Sequence, residues 1–271
     1  MHPITNYAEI RNSIITAKDP WIKDGVKIEG ADPDRRAIRL YVTKVLGEIY
    51  LGNDEKFVET LGRPCRDIKG WPLRQDNPHA FKAVITVCPI LTMLKALPDL
   101  AAAEIDSAKI QKDLEAQGIE WTEMGRSLPD DEKAWPDLVY NATFLDAATQ
   151  DDFHIPLKTN DPHLLRFREE KATRVAQLAI DQLFLPTFKK LDEAFEGRKK
   201  TLVHCHGGAS RSPTLLAAYI IWKFDVTVDQ AIAYMRARRY CVNPKCMKDL
   251  RRYEADLKAF RNQNHQKSRE G

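Results

Sequence analysis

The segment "TLVHCHGGASRSPTLLAAYIIW", Thr201 to Trp222, crowds a cysteine, two glycines, two serines and an arginine between two apolar runs. Five residues, His206, Gly207, Gly208, Ala209 and Ser210, separate Cys205 from Arg211. A short loop of small residues can turn successive backbone N–H groups inward, forming a nest that accepts a phosphate. A helix starting at the end of the loop adds partial positive charge at the same point. Gly207 and Gly208 allow the backbone angles and close approach this needs. Arg211 can offer its planar fork to two phosphate oxygens. A cysteine in such a field is favoured as thiolate and is a strong nucleophile at neutral pH. Phosphoryl transfer through sulfur is the chemistry that uses every residue type present.

Other chemistries fit less well. The lysine of a nucleotide-binding G-x-x-x-x-G-K-[ST] loop is missing. His204, Cys205 and His206 are adjacent, and neighbours along a strand point to opposite sides, so they do not make a zinc site. No metal and no cofactor is expected. The bland reading of Cys205, a small buried hydrophobe, leaves the glycines and Arg211 without a purpose.

The elements that must position this loop can be read around it. "TLVHC" is a strand. Pro213 suits the first position of a helix, with Ser212 just before it as a cap. That helix is apolar nearly all round and must be buried. "IYLGN" (49–53), "AVITVC" (83–88) and "LVYNATFLD" (138–146) are further strands. "DLAAAEIDSAKIQKDLEAQG" reads as a helix ending on Gly118. Another helical stretch runs from about Leu164 to Glu196, with Pro186 expected to kink or split it. "TVDQ" (227–230) is a capping box, after which Val228, Ala231, Ile232 and Met235 share one face. Leu250, Tyr253, Leu257 and Phe260 make a similar stripe. Strands alternating with helices predict an α/β fold, a central, mostly parallel sheet flanked by helices, with the phosphate-binding loop between a strand and a buried helix.

At 271 residues the chain can bury a sizeable core, and 43% apolar with 30% charged residues is ordinary for a globular protein. The net charge of +3 excludes a global polyanion-binding signal. From Arg236 to Gly271, however, 11 basic face 4 acidic residues, either a solvated helix with a basic tail or a surface attracting anionic substrates. Five cysteines at irregular spacing do not form a disulfide framework, so a reducing, cytoplasmic setting is expected. The N-terminus lacks a basic start followed by an apolar core, so no secretory leader is expected. The longest apolar run, Leu215 to Trp222, is too short to span a bilayer.

"HCHGGASRSPT" resembles the H-C-x-x-G-x-x-R-S signature of the cysteine-based protein phosphatases, and the "SRS" ending with "PTLLAAYI" resembles the dual-specificity branch. "EIYLGN" and "KAVITVC" are similar to that branch's opening strands, and "VTVDQAIAYMRARRYCVNPKCMKDLRRYE" to its closing helices. The resemblance spans about 46 to 260 with gaps, so the expected organisation is an N-terminal extension (1–45) that packs on a catalytic domain (46–262), then a basic tail (263–271). Residues 89–135 and 153–185 are longer than in a compact member.

The resemblance implies a two-step reaction through a phosphocysteine on Cys205, with Arg211 and the amides of His206 to Ser210 holding the phosphoryl oxygens. It implies that Ser212 eases departure of the thiolate, and that an aspartate after a strand is the general acid. The pattern in "YNATFLD" points to Asp146, but its 59-position distance from Cys205 keeps Asp151 and Asp152 as competitors. His204 either tunes the thiolate or is structural. A phosphoprotein is the expected substrate, with RNA 5′-triphosphate or a phosphoinositide as alternatives. A catalytically weak phospho-binding module and, less well matched, a rhodanese-like sulfur transferase are the competing classes. Oligomeric state leaves no mark in the sequence.

Cys88 ends "AVITVC", and a parallel neighbour of "TLVHC" would bring it close to Cys205. Some members of the superfamily carry a protective cysteine in a similar place; the bland alternative is core packing. Cys241 and Cys246 flank Pro244, at a distance from the loop that the sequence does not give. Peroxide would oxidise Cys205 to a sulfenic acid, and the Cys88 thiol would condense with it to a disulfide, releasing water. Peptide mapping after brief peroxide should then show a Cys88–Cys205 pair, with activity restored by dithiothreitol. Irreversible loss that is the same in Cys88→Ser leaves Cys88 as core only.

Overall fold

The computed structural model describes residues 6–27, 42–61, 79–87, 107–124, 185–205, 207–244 and 247–270. The expected strand at 138–146, the first part of the expected helix at 164–184, and Cys88 and Cys246 lie outside these. Among the described residues five strands form one sheet in the order β3-β4-β7-β5-β6. They are β3 (Thr43–Leu46), β4 (Ile49–Gly52), β5 (Ala83–Thr86), β6 (Glu120–Glu123) and β7 (Thr201–His204). Within this sheet only the β3–β4 pair is antiparallel, and it turns on Gly47 at φ 53°. The other pairs are parallel. The α/β fold with a mostly parallel sheet is therefore as expected.

β7 is the central strand, every residue of it buried. Leu51 and Ile85 flank Val203, and Gly52 and Thr86 flank His204. Two strands buried on both sides explain why "TLVH" and "AVIT" read as continuous runs rather than alternating ones. β3 and β6 escape the sequence reading because they sit at the edges. β6, "EWTE", buries Trp121 and leaves its other residues part-exposed, so it lacks an apolar run.

Helices α2 (Asp54–Leu61), α3 (Ser107–Ala116) and α4 (Leu185–Phe195) pack on β7, β6 and β4 respectively. α3 stops where expected, with Gly118 at φ 67°. The described part of α4 runs from Leu185, with Pro186 as its second residue; the stretch before it, where the expected kink or split would show, lies outside the described residues. α5 (Arg211–Phe224) is buried over nearly its whole surface, against α6 (Val228–Arg238) and α7 (Met247–Glu270). Each large apolar side chain buried there contributes about 1.5–3 kcal/mol, which anchors the N-terminal end of α5 beside β7. The Thr227–Gln230 capping box is formed, with Thr227 Oγ1 accepting from the Gln230 N–H at 3.2 Å and Gln230 Oε1 from the Thr227 N–H at 2.9 Å. Val228, Ala231, Ile232 and Met235 are all buried.

The N-terminal segment forms α1 (Tyr7–Ile15) and a small hairpin of β1 (Ile22–Lys23) and β2 (Val26–Lys27). α1 packs on α6, and its Arg11 Nε donates to the Phe224 carbonyl at 2.8 Å. Tyr7 stacks on Phe224 at 5.0 Å. Among the described residues no helix is long and apolar enough to cross a membrane.

Candidate active site

Cys205 directly follows β7 and is 3% exposed. It thus lies at the carboxyl edge of three parallel strands, β4, β7 and β5, the edge where open α/β sheets place ligands. α5 begins at Arg211, after Ser210 as its N-cap residue. This corrects the expected helix start: the chain turns two residues earlier, so Ser212 is not the cap and Pro213 is not the first residue. Ser212 instead sits in the first turn, fully buried, and its hydroxyl donates to Cys205 Sγ at 3.2 Å. The Ser210 side chain makes no capping hydrogen bond, while its carbonyl accepts from Thr214 N–H at 2.9 Å and Thr214 Oγ1 at 2.8 Å.

The loop between Cys205 and Arg211 is gripped by its carbonyls. Arg239 Nε donates to the Gly208 carbonyl at 3.2 Å, and the Asn243 N–H donates to the Ala209 carbonyl at 2.7 Å. In a planar trans peptide the N–H points opposite to the C=O. Pinning these two carbonyls to the 239–243 segment therefore turns the N–H groups of Ala209 and Ser210 away from it. Gly208 has φ 59°, and a Cβ there would lie 2.4 Å from the Gly52 carbonyl oxygen and 3.0 Å from Arg239 Nη2. Only glycine fits. Arg239 is 1% exposed and also donates through Nη1 to Thr43 Oγ1 at 3.1 Å. It ties the edge strand β3 to the loop. Arg239 stands within the quoted closing segment, but burial of an arginine leaves no mark in residue order, so this contact was not legible there.

His204 is wholly buried in the strand before Cys205. Its ring stacks on Phe57 at 4.5 Å, and Nε2 lies 2.8 Å from Thr86 Oγ1. Thr86 Oγ1 also accepts from Trp121 Nε1 at 2.9 Å. The Thr86 hydroxyl thus holds the His204 ring and the Trp121 indole together. Burial pushes the His204 pKa down from 6.5 to about 3, so the ring is neutral. Neither Thr86 nor Trp121 was legible as a support for His204. His206, Asp146, Asp151, Asp152 and Cys88 lie outside the described residues; among the described ones the structure brings together His204, Cys205, Gly207, Gly208, Ala209, Ser210, Arg211 and Ser212.

Residues 133–256 match the dual specificity phosphatase catalytic domain. That segment of the chain is similar to the dual specificity phosphatases. It is 37% identical over 75 residues to the serine/threonine/tyrosine-interacting protein of Mus musculus, covering 27% of this chain and 34% of that protein. It is 33% identical over 107 residues to protein phosphatase Slingshot homolog 2 of Homo sapiens, covering 39% of this chain and 7% of that one. The matches thus span about a third or less of these relatives' length. A crystal structure of kinase associated phosphatase, with its catalytic cysteine replaced by serine, is 13% identical with a TM-score of 0.45, covering 81% of this chain and 96% of that chain. The family match takes in Cys205, Arg211 and Ser212 together with Asp146, Asp151 and Asp152.

A histidine neutral in the fold and protonated near pH 6.5 when unfolded costs stability as pH falls from about 6.5 toward 3, since only the unfolded state takes up the proton over that range. The His204 imidazole signals should therefore stay unshifted in NMR spectra from pH 8 to pH 5, while the melting temperature of wild type falls more steeply with acid than that of His204→Asn. A His204 ring titrating near pH 6.5 contradicts this burial.

Proposed function

We propose that the chain is a cysteine-dependent phosphatase that hydrolyses phosphomonoesters in proteins without a metal ion. The observation that carries this reading is the Ser212 hydroxyl on the Cys205 sulfur, beside a loop whose Gly208 and Ala209 carbonyls are held on one side. In the first step the Cys205 sulfur bonds to phosphorus as the bond to the leaving oxygen breaks, and Asp146 gives that oxygen its proton. In the second step Asp146 takes a proton from water, whose oxygen bonds to phosphorus as the sulfur departs. Ser212 donates to the departing thiolate. Arg211 and the loop amides hold the three equatorial oxygens through both steps. His204, neutral and fixed by Thr86, supports the backbone that carries Cys205. A reducing, cytoplasmic setting suits a working thiol.

One other reading has an observation behind it. A relative is named an interacting protein rather than a phosphatase, and the same cradle without turnover would make a phospho-binding module. The presence of both Cys205 and Arg211 favours the enzyme. RNA 5′-triphosphates and phosphoinositides remain alternative substrates; the named loop residues between Cys205 and Arg211 include no lysine, which favours phosphoprotein.

Hydrolysis of an aryl phosphate in EDTA should be lost in Cys205→Ser, with the phosphate trapped on Cys205 in rapidly quenched wild type. Arg211→Lys should fall by at least ~100-fold, because an ammonium cannot make the bidentate contact. Full activity in Cys205→Ser, or a strict need for added metal, rules the mechanism out. A wild type that binds phosphate but never turns it over leaves the binding module.

Asp146→Asn should slow alkyl phosphates far more than activated aryl esters and remove the basic limb of the pH–rate profile, by about 10²–10⁴-fold for the poor leaving groups. Should Asp151→Asn or Asp152→Asn behave this way while Asp146→Asn does not, the acid is that residue.

A further inference from the structure

The peptide joining Val242 to Asn243 is held at both of its polar ends. Its N–H, from Asn243, donates to the Ala209 carbonyl of the loop at 2.7 Å. Its C=O, from Val242, accepts from Arg236 Nε at 2.9 Å. Arg236 is fixed in turn by a segment 217 positions earlier, through Nη1 to Asp19 Oδ2 at 2.6 Å. Its guanidinium lies 3.8 Å over the Trp21 ring. Asp19 Oδ1 accepts from the Trp21 N–H at 2.9 Å, and the Trp21 indole N–H donates to the Tyr240 carbonyl at 3.0 Å. Trp21 is buried, and the Asp19 and Arg236 side chains are only 12% and 14% exposed.

A charged donor on one end of a peptide strengthens the donor at its other end, and in a low-dielectric setting the effect passes along a chain of hydrogen bonds. Arg236 thus acts on the Ala209 carbonyl through the 242–243 peptide. That carbonyl shares its peptide plane with the Ser210 N–H. We infer that Asp19 and Trp21 are positioning residues for the loop, setting through Arg236 and the 242–243 peptide the orientation of the 209–210 peptide and the affinity of the loop for a tetrahedral oxyanion. This rests on reading the loop as an oxyanion cradle. Without such a link, the segment 6–27 would be a cover for α6 contributing stability alone.

Calorimetric titration of the full chain with tungstate, a tetrahedral oxyanion, separates the two at a temperature well below melting. Asp19→Asn should weaken tungstate binding about tenfold, the size of one charge-assisted contact. Asp19→Glu should recover most of that loss. Trp21→Phe, which keeps a ring under Arg236 but loses the bond to Tyr240, should weaken binding roughly threefold, about one neutral hydrogen bond. Arg236→Lys, which keeps the charge but cannot hold Val242 and Asp19 together, should match Asp19→Asn. The KM for an aryl phosphate should rise in step. Wild-type affinity in Asp19→Asn and Trp21→Phe, even with lowered melting temperatures, overturns the inference, and so does a wild type that takes up no tungstate. A wild type that binds tungstate but hydrolyses nothing overturns the phosphatase reading alone, because the readout here is anion affinity.

Discussion

A backbone loop can present its amides to one ligand only if its carbonyls are occupied elsewhere, since neither half of a buried peptide can go unpaired without cost. Here the Gly208 carbonyl takes a bond from Arg239 and the Ala209 carbonyl from the Asn243 N–H. The geometry of the rest follows from these two bonds. They require the 239–243 segment to leave α6 and cross beside the loop, so the C-terminal end of α6 must stop at Arg238. They require glycine at 208, because the Gly52 carbonyl and Arg239 occupy the space a Cβ would need. And they require a guanidinium in the interior, whose desolvation is offset in part by the bonds it gives to Gly208 and Thr43.

The sheet supplies what the loop cannot supply for itself. Pairing on both sides fixes β7 along its full length, so the position where Cys205 leaves the strand is set by eight flanking residues rather than by the loop. α5 is held by an almost wholly apolar surface, which frees its first turn from any role in packing a polar face. Ser212 can then be buried with its hydroxyl on the Cys205 sulfur. His204 shows the same division of labour. A neutral imidazole in a dry strand is stabilised by a hydroxyl from β5, an indole from β6 and a ring from α2, three elements that meet only when the sheet is complete.

Residues that act through local spacing were legible in the sequence, and residues that act through distant contacts were not. Cys205, Arg211 and the glycines announce themselves because a strand, a loop and an apolar helix follow one another within about twenty positions. The Thr227–Gln230 box and the Gly118 helix end are equally local. The start of α5 was misplaced by two residues because Ser210, Ser212 and Pro213 carry overlapping signals, and burial of Ser212 rather than capping decided among them. Edge strands β3 and β6 lack the unbroken apolar pattern of the centre. Arg239, Thr86 and Trp121 are ordinary residues until the fold brings Gly208 and His204 against them. Asp146, Asp151 and Asp152 cannot be ranked by spacing alone, and they lie outside the described residues.

Binding and turnover make separate demands on such a site. Oxyanion affinity, in the proposed reading, comes from amides and Arg211, and depends on how rigidly the loop is held by Arg239, Asn243 and the N-terminal segment. Turnover adds a nucleophile, a donor for its departure and an acid. Losing one of the second group would leave the first intact, since neither the Gly208 nor the Ala209 contact involves Cys205 or Ser212. That the relatives this chain resembles include both a protein named a phosphatase and one named for interaction is what this separation permits. The dependence runs one way in that reading: a cradle can bind without a nucleophile, whereas a nucleophile without the cradle has no oxyanion held for attack. In that reading the carbonyl grip serves binding and turnover alike, whereas the sulfur beneath the Ser212 hydroxyl serves turnover alone.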